Sequence, residues 1–138
     1  MVFPDVVVVV IRREDGFFFV HQRRADKETF PLRYGLGAGG RVESSEDSAA
    51  AAARELAEET GLTTPLEHLF DFRHEDGDVE RNLHVYETIV PSGTTIPADD
   101  NGEWSWCGWL SPSEVEDLRE AGKLCPDTAS LIERYVTA

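Results

Sequence analysis

The stretch GGRVESSEDSAAAAARELAEETGL, Gly39 to Leu62, decides how the rest of the chain is read. It runs from a glycine pair through a polar loop into an alanine-rich segment, and it stops at Gly61. The spacing predicts a helix from about Asp47 to Thr60, with Ser44 as a candidate cap and Gly61 able to take the left-handed conformation that ends helices. At roughly 100° per residue, Ala49, Ala53, Leu56 and Ala57 fall on one side. Glu55, Glu58 and Glu59, at i, i+3 and i+4, gather on the opposite arc. Like charges at that spacing cost a few tenths of a kcal/mol per pair. A position near the helix C-terminus adds to the cost, because the dipole there favours cations. A hard divalent cation such as Mg2+, which takes carboxylate oxygens and leaves other positions to water and substrate phosphates, would relieve it. Acids that are simply solvated are the competing reading of the helix alone.

The wider spacing goes further. From Gly40 the chain spells glycine, five residues, Glu46, seven residues, then RELAEETGL from Arg54 to Leu62. This resembles the Nudix box, GX5EX7REUXEEXGU with U a bulky aliphatic, at every fixed position. The resemblance implies a divalent-metal-dependent hydrolase that cleaves a diphosphate linked to another moiety. It implies Glu55, Glu58 and Glu59 as metal ligands, joined by the backbone carbonyl of Gly39, with Mg2+ as the cofactor and Mn2+ as a substitute. Gly40, Glu46, Arg54 and Gly61 take structural roles in the motif, Glu46 and Arg54 as an ion pair tying loop to helix. Arg41, just past the glycine pair, sits where the family often places a basic residue near the phosphates; a solvated loop arginine is the alternative.

Composition bounds the partners. With 138 residues the chain is expected to be one domain, 1–138, with enough residues for a real core. A formal charge of −14 argues against nucleic-acid polymers or anionic membranes, which are bound through basic surface. Bound Mg2+ would invert the local field for a phosphate substrate. Cys107 and Cys125 lack CxxC spacing and read as reduced thiols, and His21, His68, His74 and His84 show no zinc spacing. Val6 to Ile11 is too short to span a bilayer and lacks a basic region before it, so a cytoplasmic protein is expected. A homodimer stays open.

Along the chain, Val6 to Arg12 is a β-branched run suited to a central strand covered on both faces. Glu14-Asp15-Gly16 makes a turn into a second strand, Phe17 to Gln22. In the charged loop from Arg23 to Pro31, Arg24 and Lys27 are candidates to meet an anionic substrate, and a solvated loop is the competing and preferred reading. Further strands are expected at Leu66 to Phe72, Asn82 to Val90 and Glu103 to Leu110, with a turn at His74 to Asp78 and a long loop from Pro91 to Gly102. Helices are expected at Ser111 to Glu120 and Asp127 to Val136, with Ser111 and Ser113 as candidate caps and Leu131, Ile132 and Tyr135 as an apolar stripe. Trp109 reads as core, while Trp104 and Trp106 could stack a flat group or simply pack. Family members often carry an additional acid well after the box. Glu103 is the first choice for it, with Asp100 and Asp99 behind.

This order of elements predicts an α/β fold, a Nudix-type α/β/α sandwich with a mixed β-sheet between helices. The expected chemistry is water attack at a phosphorus of a small-molecule diphosphate, nucleoside-linked or related, with Glu58, Glu59 or Glu103 accepting the proton. Two alternatives accompany it: a silent binding or sensor domain, and an enzyme similar to isopentenyl-diphosphate isomerase. The isomerase needs a cysteine and histidines around its version of the box, and RYGLGAGGRVE, Arg33 to Glu43, has neither.

Overall fold

The consecutive β-branched residues from Val6 to Ile11 alternate between two faces, and both faces are covered. They form β1 (Asp5–Arg13), in which Val7, Val9 and Ile11 enter one apolar cluster and Val10, with Val8 against it, enters another. The computed structural model describes residues 3–76, 79–97 and 102–137. Among these the chain forms β1, β2 (Phe18–Arg23), β3 (Tyr34–Leu36), β4 (Ala38–Arg41), α1 (Ser48–Thr60), β5 (Glu67–Asp76), β6 (Val79–Val90), β7 (Trp104–Leu110), α2 (Pro112–Glu120) and α3 (Pro126–Thr137). The sheet path is β3-β2-β1-β6-β5, with β4 on β1 and β7 on β2. β1 and β6 run parallel and the other pairs antiparallel, so the sheet is mixed. Helix α1 covers one face, and α2 and α3 cover the other. The α/β sandwich expected from the order of elements is the fold observed.

The sheet forks, and the fork positions everything that follows. β1 and β2 are paired at Arg12 and Phe18, after which β4 takes the edge of β1 from Val6 to Val9 while β3 takes the edge of β2. The chain changes arms at Gly37. Its N–H donates to the Phe19 carbonyl on the β2 arm (2.8 Å), and a Cβ there would lie 1.8 Å from the Val9 carbonyl oxygen on the β1 arm. With φ at +67° as well, the switch requires glycine.

Several boundaries differ from the sequence-based expectation. β3 and β4 were expected as loop, because Tyr34 to Arg41 holds four glycines and glycine weakens the strand signal. β5 runs on through His74, expected in a turn; the ring is buried under α3, with Nδ1 3.1 Å from Ser130 Oγ. The cap of α1 is Asp47, whose carboxylate accepts the Ala50 N–H (2.8 Å), rather than Ser44. The apolar side of α1 is also corrected: Ala51, Ala52, Leu56 and Thr60 are buried, whereas Ala49, Ala53 and Ala57 face out. Gly61 ends the helix in the left-handed region (φ 77°). Ser111 caps α2 with a capping box closed by Glu114, while Ser113 lies within the helix. Leu131 and Ile132 are buried and Tyr135 half-buried, as an inward stripe requires. Among the described residues no helix is long and apolar enough to cross a membrane.

Candidate active site

Small residues bring α1 down onto β4. Ala51 and Ala52 are fully buried, and one helical turn further on the same side come Glu55 and Glu59. Two of the three acids therefore face the sheet instead of opposing the packed side. The Glu59 carboxylate accepts the Gly39 N–H (2.9 Å), and the Glu55 side chain is only 14% exposed. Glu55 lies over Gly40 so closely that a Cβ there would sit 2.5 Å from its Oε1. Glu58 projects outward, with its side chain 58% exposed.

Arg54 is the hub of the segment. Its guanidinium meets Glu46 at 2.6 and 3.2 Å, Glu55 at 2.7 Å and Glu58 at 3.4 Å, and donates to the Arg41 carbonyl at 3.0 Å. Glu46 in turn accepts the Glu43 N–H (2.9 Å), so the loop before α1 is tied to the helix. The hydrogen bonds from Arg54 hold the Glu46 carboxyl below its usual range. Burial pushes the Glu55 carboxyl up; Arg54 opposes that shift, and the charges of Glu58 and Glu46 add to it. Arg54 itself is raised by its hydrogen bonds to Glu46 and Glu55. As the side chains stand, no three His, Cys, Asp or Glu among the described residues converge on a point suited to a metal ion.

The fork of the sheet opens as a cleft of about 210 Å³. Gly39, Gly40 and Glu59 form one wall, and His21 and Trp104 form another. The two rings are stacked, with centroids 4.8 Å apart and planes within 12°, and His21 Nδ1 lies 2.7 Å from the Gly37 carbonyl. Glu103 borders the same cleft and pairs with Lys27 at 2.8 Å. Arg23, Arg81, Cys125 and Asp127 also line the cleft.

The expected site residues thus divide. Gly39, Gly40, Glu59 and Glu103 meet at the cleft, with Glu55, Glu58, Glu46 and Arg54 grouped behind its wall. Arg41 borders a smaller cavity beside Gly40. Arg24 turns away: it pairs with Asp26 (3.2 Å) in an exposed loop, and it is the preceding residue, Arg23, that reaches the cleft. Asp99 and Asp100 lie outside the described residues. Trp109 packs edge-on against Phe19 (5.6 Å), while Trp106 lies over Gly108 and is 41% exposed away from the cleft. Arg23, Arg81 and His21 were absent from the sequence-based site. An arginine entering a strand carries no motif, and strand alternation, the one available signal, does not say which arm of a fork it faces.

A mixed sheet forked around a cleft carries a glycine pair on one arm and a glutamate-bearing helix laid over it. The chain belongs to the Nudix family: the model of the NUDIX domain matches residues 2–135. It is a Nudix hydrolase, a pyrophosphohydrolase in reaction class. It is 34% identical over 131 residues to an uncharacterised Nudix hydrolase of Streptomyces coelicolor, covering 93% of this chain and 71% of the relative. It is 31% identical over 103 residues to an isopentenyl-diphosphate Delta-isomerase of Nocardia farcinica, covering 72% of this chain and 59% of that enzyme. Among solved structures it resembles DR0079 of Deinococcus radiodurans (TM-score 0.79, 25% identity, 95% of this chain and 82% of that one). It also resembles a bifunctional NMN adenylyltransferase/ADP-ribose pyrophosphatase of Francisella tularensis, solved with AMP and a manganese ion (TM-score 0.75, 19% identity, 99% of this chain and 42% of that one).

Proposed function

We propose that this chain hydrolyses a diphosphate linkage in a nucleoside-diphosphate-linked or related small molecule, and that it does so with a divalent cation, Mg2+ or Mn2+. The observation that carries the reading is the meeting of Gly39, Gly40 and Glu59 at the mouth of the fork, with Glu55 and Glu58 one turn away. The residues fit a hard cation by their donor set. Gly40 lacks the Cβ that would collide with Glu55, and burial that raises the Glu55 carboxyl is opposed by any cation held beside it. In an antiparallel strand the N–H and C=O of one residue point to the same side. Since the Gly39 N–H faces Glu59, its carbonyl shares that side. Glu55, Glu58, Glu59 and the Gly39 carbonyl would hold the ion after Arg54 releases Glu55 and Glu58. When bound, the ion supplies charge neutralisation and polarises the phosphoryl oxygens.

The chain's own residues do the rest. The stacked His21 and Trp104 give a flat wall for the moiety beyond the phosphates. Glu59 and Glu103 border the cleft, and in this reading either takes a proton from the attacking water, with Glu58 as the third candidate. The new bond forms from the water oxygen to phosphorus. The bond from phosphorus to the bridging oxygen breaks, and that oxygen leaves with the second product. Cys125 lines the cleft, but burial pushes its thiol up to about 11, which keeps it protonated at neutral pH. The absence of cysteine and histidine from Arg33 to Glu43 weighs against the isomerase reading, which an isoprenoid diphosphate with product analysis would test. A panel of diphosphate compounds with Mg2+ and Mn2+, with Glu58→Gln alongside, tests the main proposal. Glu58→Gln is expected to lose at least about a hundredfold in turnover while staying folded. Unchanged turnover in that variant would overturn the assignment, and no turnover by the wild type would favour a sensor.

A further inference from the structure

The start of β1 brings together two arginines that no motif connects. Val6 pairs with Arg41 on β4 and with Leu83 on β6, and directly opposed residues share a face of the sheet. Arg81, two residues before Leu83, shares that face as well. The Asn82 N–H donates to the Pro4 carbonyl (2.9 Å) and the Val42 N–H to the Asp5 carbonyl (3.0 Å), so both flanking strands are pinned at this end. Arg41 and Arg81 then line a cavity of about 120 Å³ together with Pro4, Val6 and Gly40. Arg81 and Gly40 also border the larger cleft that holds Glu59.

Resting on the diphosphate reading above, we propose that Arg81 and Arg41 form a two-arginine clasp for one phosphoryl group of the substrate, on the side of β4 opposite the acids of α1. In a chain of 27 acidic and 13 basic residues, two arginines line one small cavity, and guanidinium forks match the oxygens of a phosphoryl group. The size fits the scale of a phosphoryl group rather than a nucleoside, since pockets for whole organic ligands run to roughly 300–1,000 Å³. Asp127 acts as a positioning residue: its Oδ2 lies 3.3 Å from Arg81 Nη1 and aims the guanidinium while leaving other N–H donors open, the side chain being 36% exposed. Gly40 is the shared wall. Its α1 side admits Glu55, and its edge borders both the clasp and the cleft.

The test is calorimetric binding of methylenediphosphonate, a diphosphate that cannot be hydrolysed, with Mg2+ present. Arg81→Gln and Arg41→Gln should each weaken it at least about tenfold, as loss of a charged hydrogen bond implies. Arg81→Lys should recover part of the loss, and Arg119→Gln, which removes the same charge from the surface of α2, should bind like the wild type. Asp127→Asn breaks the same ion pair but keeps the guanidinium; it should lose clearly less affinity than Arg81→Gln, and an equal loss in the two would mean that the broken ion pair, not anion binding, explains Arg81→Gln. The same series on a Glu58→Gln background should show the same ratio, so the clasp is read independently of turnover. Wild-type affinity in Arg81→Gln, an equal loss in Arg119→Gln, or no binding by the wild type overturns the clasp. If Glu58→Gln keeps full turnover while the arginine variants bind weakly, the acid assignment fails and the clasp stands.

Discussion

The two faces of the sheet are built from different materials. On the α2 and α3 face the contact residues are large: Leu83, Val85, Val115, Leu131 and Ile132 interlock, with Phe18, Phe70 and Phe72 around them. On the α1 face the helix contributes Ala51, Ala52 and Leu56, and it meets β4 at Gly39 and Gly40, so the glutamate side chains of α1 reach the strand's backbone. Large side chains bury area and hold elements apart; small ones give up that area to bring a helix close. The first face supplies stability, and the second sets the acids against the strand.

That contrast can be broken from either side. The largest effect on folding is expected from Leu131→Ala, which empties a fully buried site on the α3 face and should cost about 2–5 kcal/mol in chemical denaturation, with turnover per folded molecule retained. On the α1 face Ala52→Leu should cost less, about 1–3 kcal/mol. It should lower activity far more than Leu131→Ala does, because lifting α1 separates Glu59 from Gly39. Equal activity losses in the two variants would erase the distinction between the faces. Asp47→Ala removes the cap of α1 and should cost about 1 kcal/mol, read as a lower melting temperature without a change in the metal dependence of turnover.

The smallest effect concerns the edge of the sheet. His84 on β6 lies between Asp71 of β5 (2.9 Å) and Asp5 of β1 (3.0 Å), and Asp71 also meets His68 (2.8 Å). Burial alone would lower the His84 pKa, but the hydrogen bonds and charges of the two aspartates outweigh it and the value is raised. Burial would likewise raise Asp71, and the two histidines hold it below its ordinary value. A histidine raised above its unfolded value of 6.5 contributes stability fully below that pH and loses it as pH rises through the folded value. The melting temperature should therefore carry a decline between about pH 6 and 8 that His84→Gln flattens. A decline unchanged in the variant would place the titration elsewhere.

The box segment was legible because its information is local. Gly40, Glu46, Arg54 and the acids sit within the end of one strand, the loop after it and one helix, where spacing translates directly into position. The central strand was legible for the same reason, since a run of β-branched residues has few other places to go. β3 and β4 were not, because their glycines suppress the strand signal while serving the crossing at Gly37 and the approach of α1. Nor was the inward side of α1: five alanines carry no direction, and which of them meet β4 depends on the strand's own position.

Local spacing along the chain was enough for the family and the α/β class, because each is a matter of neighbours in sequence. Tertiary structure alone decided that Glu55 and Glu59 face the sheet, that Arg23 rather than Arg24 reaches the cleft, and that Arg41 and Arg81 share one cavity. Arg41 and Arg81 lie forty residues apart in the chain and meet only because β1 pairs with both of their strands. Long-range pairing of that kind is set by the register of the sheet, to which no short stretch of sequence has access.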